Sequence, residues 1–220
     1  MPKGFTEHEK ELIRERLLKH GYKQFSAYGL KKTNIGELAD AAKISKGAFY
    51  LFYESKEALF MDVAELAEKR QRQEVLAAID LPGPSPRARL VAVFKKSLAV
   101  LKTTPILQFV TSSDYDLLFR RIPAEKLQEH LASDRVFFKE LVARCQSAGI
   151  PIRAQPEEIS ALFYPLVLTT LHADDFGLYD FSASIDVLLE LVAAFCLGEV
   201  EVQPQRPMRP APDSEEGNLI

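Results

Sequence analysis

Ser45, Lys46, Gly47 and Ala48 stand in a row of small or basic residues, and Tyr50 and Lys56 follow closely. Small side chains permit a partner to approach, and a lysine among them adds a charge and three donors. Base edges and phosphate oxygens in a nucleic-acid groove suit this chemistry. Ser55, Lys56 and Glu57 open a further helix, whose free amides, positive dipole end and Lys56 ammonium predict a phosphate site. Tyr50 is expected to turn outward and offer its hydroxyl to phosphate, whereas Phe49, Phe52 and Tyr53 read as core aromatics.

Short helices must position these groups. Asn34 and Glu37, three apart, predict a capping box that opens a helix ending near Ala42. Ser45 caps the next, expected through about Phe52. Only Lys43 and Ile44 join the two, which suits a helix-turn-helix crossing with the second helix as the reading element. A longer helix from about Thr6 to Tyr28 lies before them, with Leu12, Ile13, Leu17 and Phe25 at helical spacing and Gly29 as its stop. Leu38, Ala39, Ile44 and Phe49 are expected to pack on Ile13, Leu17 and Phe25.

A fourth helix, capped by Ser55, runs to Ile79, and Leu81-Pro82-Gly83-Pro84-Ser85-Pro86 then forbids continuation. Further helices are expected at roughly 87–103, 106–120 and 124–148, from Pro156 to about Ala173, and from Ser182 or Ser184 to Leu197. The expected fold is all-α, with a three-helix helix-turn-helix domain over 1–54, a helical ligand-binding and dimerisation body over 55–198 whose helix 55–79 connects the two, and a proline-rich disordered tail over 199–220.

The string Thr33, Ile35, Leu38-Ala39, Ile44-Ser45-Lys46-Gly47, Phe49-Tyr50 and Ser55-Lys56-Glu57-Ala58-Leu59 resembles the TetR-like (tetracycline-repressor-like) transcriptional regulators over roughly residues 7 to 60. Gly36 and Ala48 depart from the family pattern, where a polar or basic side chain and a threonine are frequent. The resemblance implies DNA contact through Thr33, Asn34, Ser45, Lys46, Gly47, Ala48, Tyr50 and Lys56, with base readout leaning on Lys46 and on DNA shape. It also implies a homodimer on a palindromic double-stranded operator. A small-molecule effector in the body then lowers DNA affinity by changing the separation of the two reading helices. Phe94, Phe109, Tyr115, Phe119, Phe137, Phe138, Tyr164 and His172 are the expected pocket lining, and their character favours an apolar or aromatic effector.

Charge is divided unevenly: residues 1–60 hold 11 Lys+Arg against 8 Asp+Glu, the remainder 17 against 23. Only the first part therefore has the sign to meet a polyanion. The last two helices are apolar nearly all round, so one stripe faces the body and another needs a partner. Ile159, Leu162, Phe163 and Leu166 in the first, with Ile185, Leu188, Leu189 and Val192 in the second, are the expected dimer interface; Tyr164, Leu168 and Leu171, with Val187, Leu191 and Ala194, form the opposing stripes.

Two cysteines, Cys145 and Cys196, are too few for a disulfide framework and read as reduced core thiols. No apolar run reaches membrane-spanning length and Met1 to Lys10 lacks an apolar secretion core, so a cytoplasmic protein without membrane contact is expected. His130 and His172 lack a second His or Cys at ligand spacing, and no metal or cofactor is expected. Asp175-Phe176-Gly177 spells a kinase triplet without the glycine-rich loop or strands it needs, and Asp174 and Asp175 beside His172 read as cap residues. No nucleophile constellation is marked, so an enzyme is not expected. The alternative is an all-α carrier or enzyme whose first helices are scaffold; steep salt dependence of duplex binding separates the two.

Overall fold

Thr6 opens the first helix with a complete capping box: its hydroxyl accepts from the Glu9 amide at 3.3 Å, and its own amide donates to the Glu9 carboxylate at 2.8 Å. The computed structural model describes residues 5–107, 124–172 and 181–200, and among these every regular element is helical. In chain order they are α1 (Glu7–Lys32), α2 (Ile35–Ala41), α3 (Lys46–Phe49), α4 (Lys56–Ala78), α5 (Pro86–Thr103), α6 (Ala124–Ser147), α7 (Pro156–Leu171) and α8 (Ser182–Cys196).

Caps and breakers place most boundaries where the sequence predicts them. Gly29, at φ 72 and ψ 177, interrupts α1 at the expected stop, although Leu30 to Lys32 return to helix beyond it. The Ser55 hydroxyl accepts from the Ala58 amide at 3.1 Å and starts α4. Two details differ. Asn34 accepts from the Gly36 amide at 2.7 Å, rather than from that of Glu37. α3 stops at Phe49 because the next amides, Leu51 and Phe52, bond to carbonyls three residues back and tighten the chain into turns. The helix expected over 106–120 and the tail beyond Val200 fall almost wholly outside the described residues.

The described residues form two compact units, and the division falls inside α4. Residues 5–70, 103–107 and 124–127 make the first. Its core holds the expected Ile13, Leu17, Phe25, Leu38, Ala39, Ile44 and Phe49, joined by Leu59 and Phe60 of α4, whereas Leu12 lies outward. Phe25 and Phe60 meet edge to face at 5.2 Å. Gly21 is what lets α1 approach α4: a Cβ there would sit 3.1 Å from Val63 Cγ2 and 3.3 Å from the Phe25 ring.

Residues 71–102, 128–172 and 181–200 make the second unit. Its core gathers Ile79, Leu90, Phe94, Ile150, Ile159 and Leu189 among others. Arg89 satisfies two helix ends at once, donating to the Ile79 carbonyl at 2.8 Å and the Ala148 carbonyl at 2.9 Å. Cys145 and Cys196 are free and buried, and burial pushes their thiols up to about 11 and about 12, so both stay protonated.

Candidate nucleic-acid interface

The joint between α2 and α3 is a Schellman closure. The Ile44 amide donates to the Ala39 carbonyl and the Lys43 amide to the Asp40 carbonyl, both at 3.0 Å. Lys43 takes the left-handed conformation, φ 62, at the position where glycine is usual. Ile44 is buried, so the turn drives one side chain into the core and delivers the next residue, Ser45, to the surface.

Ser45 caps α3, its hydroxyl accepting from the Ala48 amide at 3.1 Å. α3 is a single turn. Phe49 is its buried residue, in contact with the Tyr50 and Tyr53 rings at 5.6 and 6.1 Å between centroids. Lys46 and Tyr50 are one helical turn apart, as are Gly47 and Leu51, so these four share the outward side. Tyr50 is 50% exposed and Leu51 74%. A Cβ on Gly47 would find only Ser45 Oγ, at 3.9 Å, so the backbone here lies open to close approach.

The expected neighbours divide into three groups. Asn34, Ser45, Lys46, Gly47 and Tyr50 are exposed, and Ala48 is half-buried. Phe52 and Tyr53 face inward: Phe52 lies 5.8 Å from the Phe5 ring with the Arg14 guanidinium over it, and Tyr53 is buried. Burial, reinforced by the Asp62 carboxylate beside it, raises the Tyr53 phenol above its ordinary range. Thr33 and Lys56 do not match the expectation of DNA contact. Thr33 is buried, its hydroxyl donating to the Gly29 carbonyl at 2.7 Å. The Lys56 ammonium turns back onto α1 and donates to the carbonyls of Leu30, Lys31 and Thr33 at 2.7, 3.1 and 3.0 Å. Sequence reasoning passed over Leu51, although a leucine just beyond a one-turn helix whose core position is already taken by Phe49 is itself a signal.

In the second unit, Phe94 is core, 5.5 Å from the Phe163 ring. Phe137 is half-buried against Phe138, and one face of its ring is covered by the Arg72 guanidinium, 5.3 Å from the centroid. Arg72 is itself held by Asp134 and Ser133. His172 caps the end of α7, its amide donating to the Leu168 carbonyl. Tyr164, expected in the pocket, is 52% exposed. Phe109, Tyr115 and Phe119, like Asp174, Asp175 and the Asp175-Phe176-Gly177 triplet, lie outside the described residues.

The expected dimer stripe is also corrected. Ile159, Phe163, Leu166, Ile185 and Leu189 are buried in their own unit, and Leu162 and Val192 are half-buried. Of the opposing stripes, Tyr164, Leu168, Val187 and Leu191 lie outward, whereas Ala194 is buried and Leu171 half-buried; the outward faces are Ala161, Tyr164, Pro165 and Leu168 on α7, and Ser184, Val187, Leu188 and Leu191 on α8. Each set follows i, i+3, i+4, i+7 spacing, one face of a helix. Of the expected interface residues, Leu188 stays exposed. Asp186 and Glu190 pair with Lys95 at 3.0 Å and Arg87 at 2.9 Å. Among the described residues, no helix is long and apolar enough to cross a membrane.

Residues 17–63, which span most of α1, all of α2 and α3 and the start of α4, match the family model described as bacterial regulatory proteins, tetR family. The chain is 36% identical over 93 residues to the uncharacterized HTH-type transcriptional regulator YuxN of Bacillus subtilis, a stretch covering 42% of this chain and 29% of that protein. It is 35% identical over 63 residues to the HTH-type transcriptional regulator AcrR of Shigella flexneri, covering 29% of each. The chain thus spans less than a third of these relatives' length. In fold it is similar to the transcriptional regulator FadR from Bacillus subtilis in complex with stearoyl-CoA, with a TM-score of 0.56 and 17% identity over 82% of this chain and 97% of that one. Over its amino-terminal helices, residues 17–63, the chain is therefore similar to the tetR family of bacterial regulatory proteins.

Proposed function

We propose that the protein is a DNA-binding transcriptional repressor that grips a palindromic operator as a homodimer and releases it when a small apolar or aromatic effector enters the body. The observation that carries this reading is the outward side of α3: a lysine, an open glycine backbone and an exposed tyrosine on a turn capped at its start by the Ser45 hydroxyl. Its exposed residues suit base edges and phosphates. The outward stripes of α7 and α8 support a two-fold interface, because pairing them with their copies makes a four-helix contact. Two-fold symmetry then presents two α3 helices to successive faces of the major groove.

Selection of bound fragments from random duplex DNA with the purified full chain tests the reading directly; a two-fold consensus supports it, and the absence of any enriched sequence refutes it. On the selected duplex, Lys46→Ala is expected to lower the slope of log affinity against log salt by about 0.9 for each phosphate it neutralises and to relax base preference. Gly47→Ala should act in opposite directions on two measurements. The added methyl fits the free protein and raises helix stability by about 0.5–1 kcal/mol. On DNA it stands in the path of the approaching duplex and weakens binding roughly tenfold.

The effector half of the reading is tested by thermal shift. FadR from Bacillus subtilis is solved with stearoyl-CoA, so acyl-CoA esters belong in the panel beside aromatic acids and lipophilic cations. A true effector at 100 times its dissociation constant stabilises by about 2.7 kcal/mol and releases the operator in a mobility-shift assay. If sugars or inorganic ions alone shift the transition, the apolar-effector reading is wrong.

A further inference from the structure

We propose that Lys56 is a positioning residue for DNA binding: its ammonium clasps the end of α1 and so fixes the frame from which α2 and α3 meet the groove, without itself touching phosphate. This rests on the DNA-binding reading above. The end of α1 needs such a clasp. Gly29 breaks the helix at φ 72, and the carbonyls that follow it have no continuing turn to supply donors. Lys56 Nζ reaches three of them, on Leu30, Lys31 and Thr33, at 2.7, 3.1 and 3.0 Å, while the Thr33 hydroxyl takes the Gly29 carbonyl at 2.7 Å.

An ammonium has three N–H donors, and here three carbonyls receive them, so none is left for a phosphate oxygen. Positive charge is also favoured at this place, because the carboxyl end of a helix carries the negative end of its dipole. The clasped carbonyls end at Thr33, and Asn34, the next residue, is the cap of α2. Loosening them frees the entry to α2, which is joined through the Lys43 turn to α3. Arginine is no substitute, since a planar fork does not converge on three carbonyls as a tetrahedral ammonium does.

The test uses the full chain and a duplex selected from random sequence, with affinity measured across a salt series. Lys56→Met is expected to weaken binding roughly tenfold or more at every salt concentration, with the slope of the wild type retained. Lys56→Gln, with two donors, should recover part of the loss, and Lys56→Arg should behave like Lys56→Met. A slope reduced by about 0.9 per protomer in Lys56→Met, or wild-type affinity in Lys56→Arg, overturns the proposal, because either result puts the charge on phosphate. Amide hydrogen exchange without DNA reads the clasp separately. Lys56→Met should lose protection at Gly36 and Leu38, whose amides bond to Asn34, and unchanged protection there also overturns the proposal. Wild-type protein that binds no duplex refutes the DNA reading alone, since exchange still decides whether Lys56 orders the entry to α2.

Discussion

Leu191→Arg is expected to give a folded chain that sediments as a monomer and has lost its operator, although α3 is untouched. Leu191 is 54% exposed on the outward stripe of α8, so the fold tolerates a longer, charged side chain there. At a two-fold contact the same guanidinium meets its own copy, and two unpaired charges must leave water together. Loss of the dimer removes the tethering that turns two half-site contacts into one, a gain of about 10²–10⁴ in affinity. Sedimentation at micromolar concentration and a mobility-shift titration measure both halves. Leu168→Arg on α7 should match it. Leu166→Arg should not, because Leu166 is buried in its own unit and a charge there disrupts the fold itself. A Leu191→Arg protein that remains dimeric removes these stripes from the interface.

Phe49→Ala carries the largest expected loss of stability. Phe49 is fully buried and is the side chain by which α3 is fixed to the first unit. Truncating a buried phenylalanine costs about 3–5 kcal/mol, against a total of about 5–15 for a typical domain. A fall in Tm of roughly 10 °C is expected by circular dichroism. Tyr50→Ala, one residue on, provides the contrast: half-exposed, it should leave Tm nearly unchanged and weaken DNA binding. Equal Tm values for the two variants would falsify the division of α3 into a buried and an outward side.

Why these assignments could be made from the sequence in some places and not in others has a physical explanation. Helix ends are local: Thr6, Ser45, Ser55 and Gly29 act within a few residues, and the chain stops and starts at or near them. The first unit's core was readable for the same reason, since apolar spacing over one helix specifies one face. α7 and α8 defeated that argument because both carry two apolar stripes, and periodicity has no sign to say which one turns inward. Only the surrounding fold decides, and it buried Ile159 and Leu189 and left Tyr164 and Leu191 outside. Lys56 failed differently. A lysine at the start of a helix reads as an anion partner, but its acceptors lie 23 to 26 residues earlier, brought back by the turn of the chain. The role of Thr33 was hidden in the same way, by the carbonyl that Gly29 leaves at the break.

The brevity of α3 bears on how such a protein diversifies. A single turn that commits one side chain, Phe49, to the interior leaves the rest of its circumference with little share in folding. Substitutions at Lys46, Tyr50 or Leu51 therefore fall in the class that changes stability by about half a kcal/mol or less. A duplicated gene can try new residues at these positions one at a time, each intermediate still folded, and on the DNA-binding reading proposed above this opens a route to a new recognition sequence with no stabilising change required first.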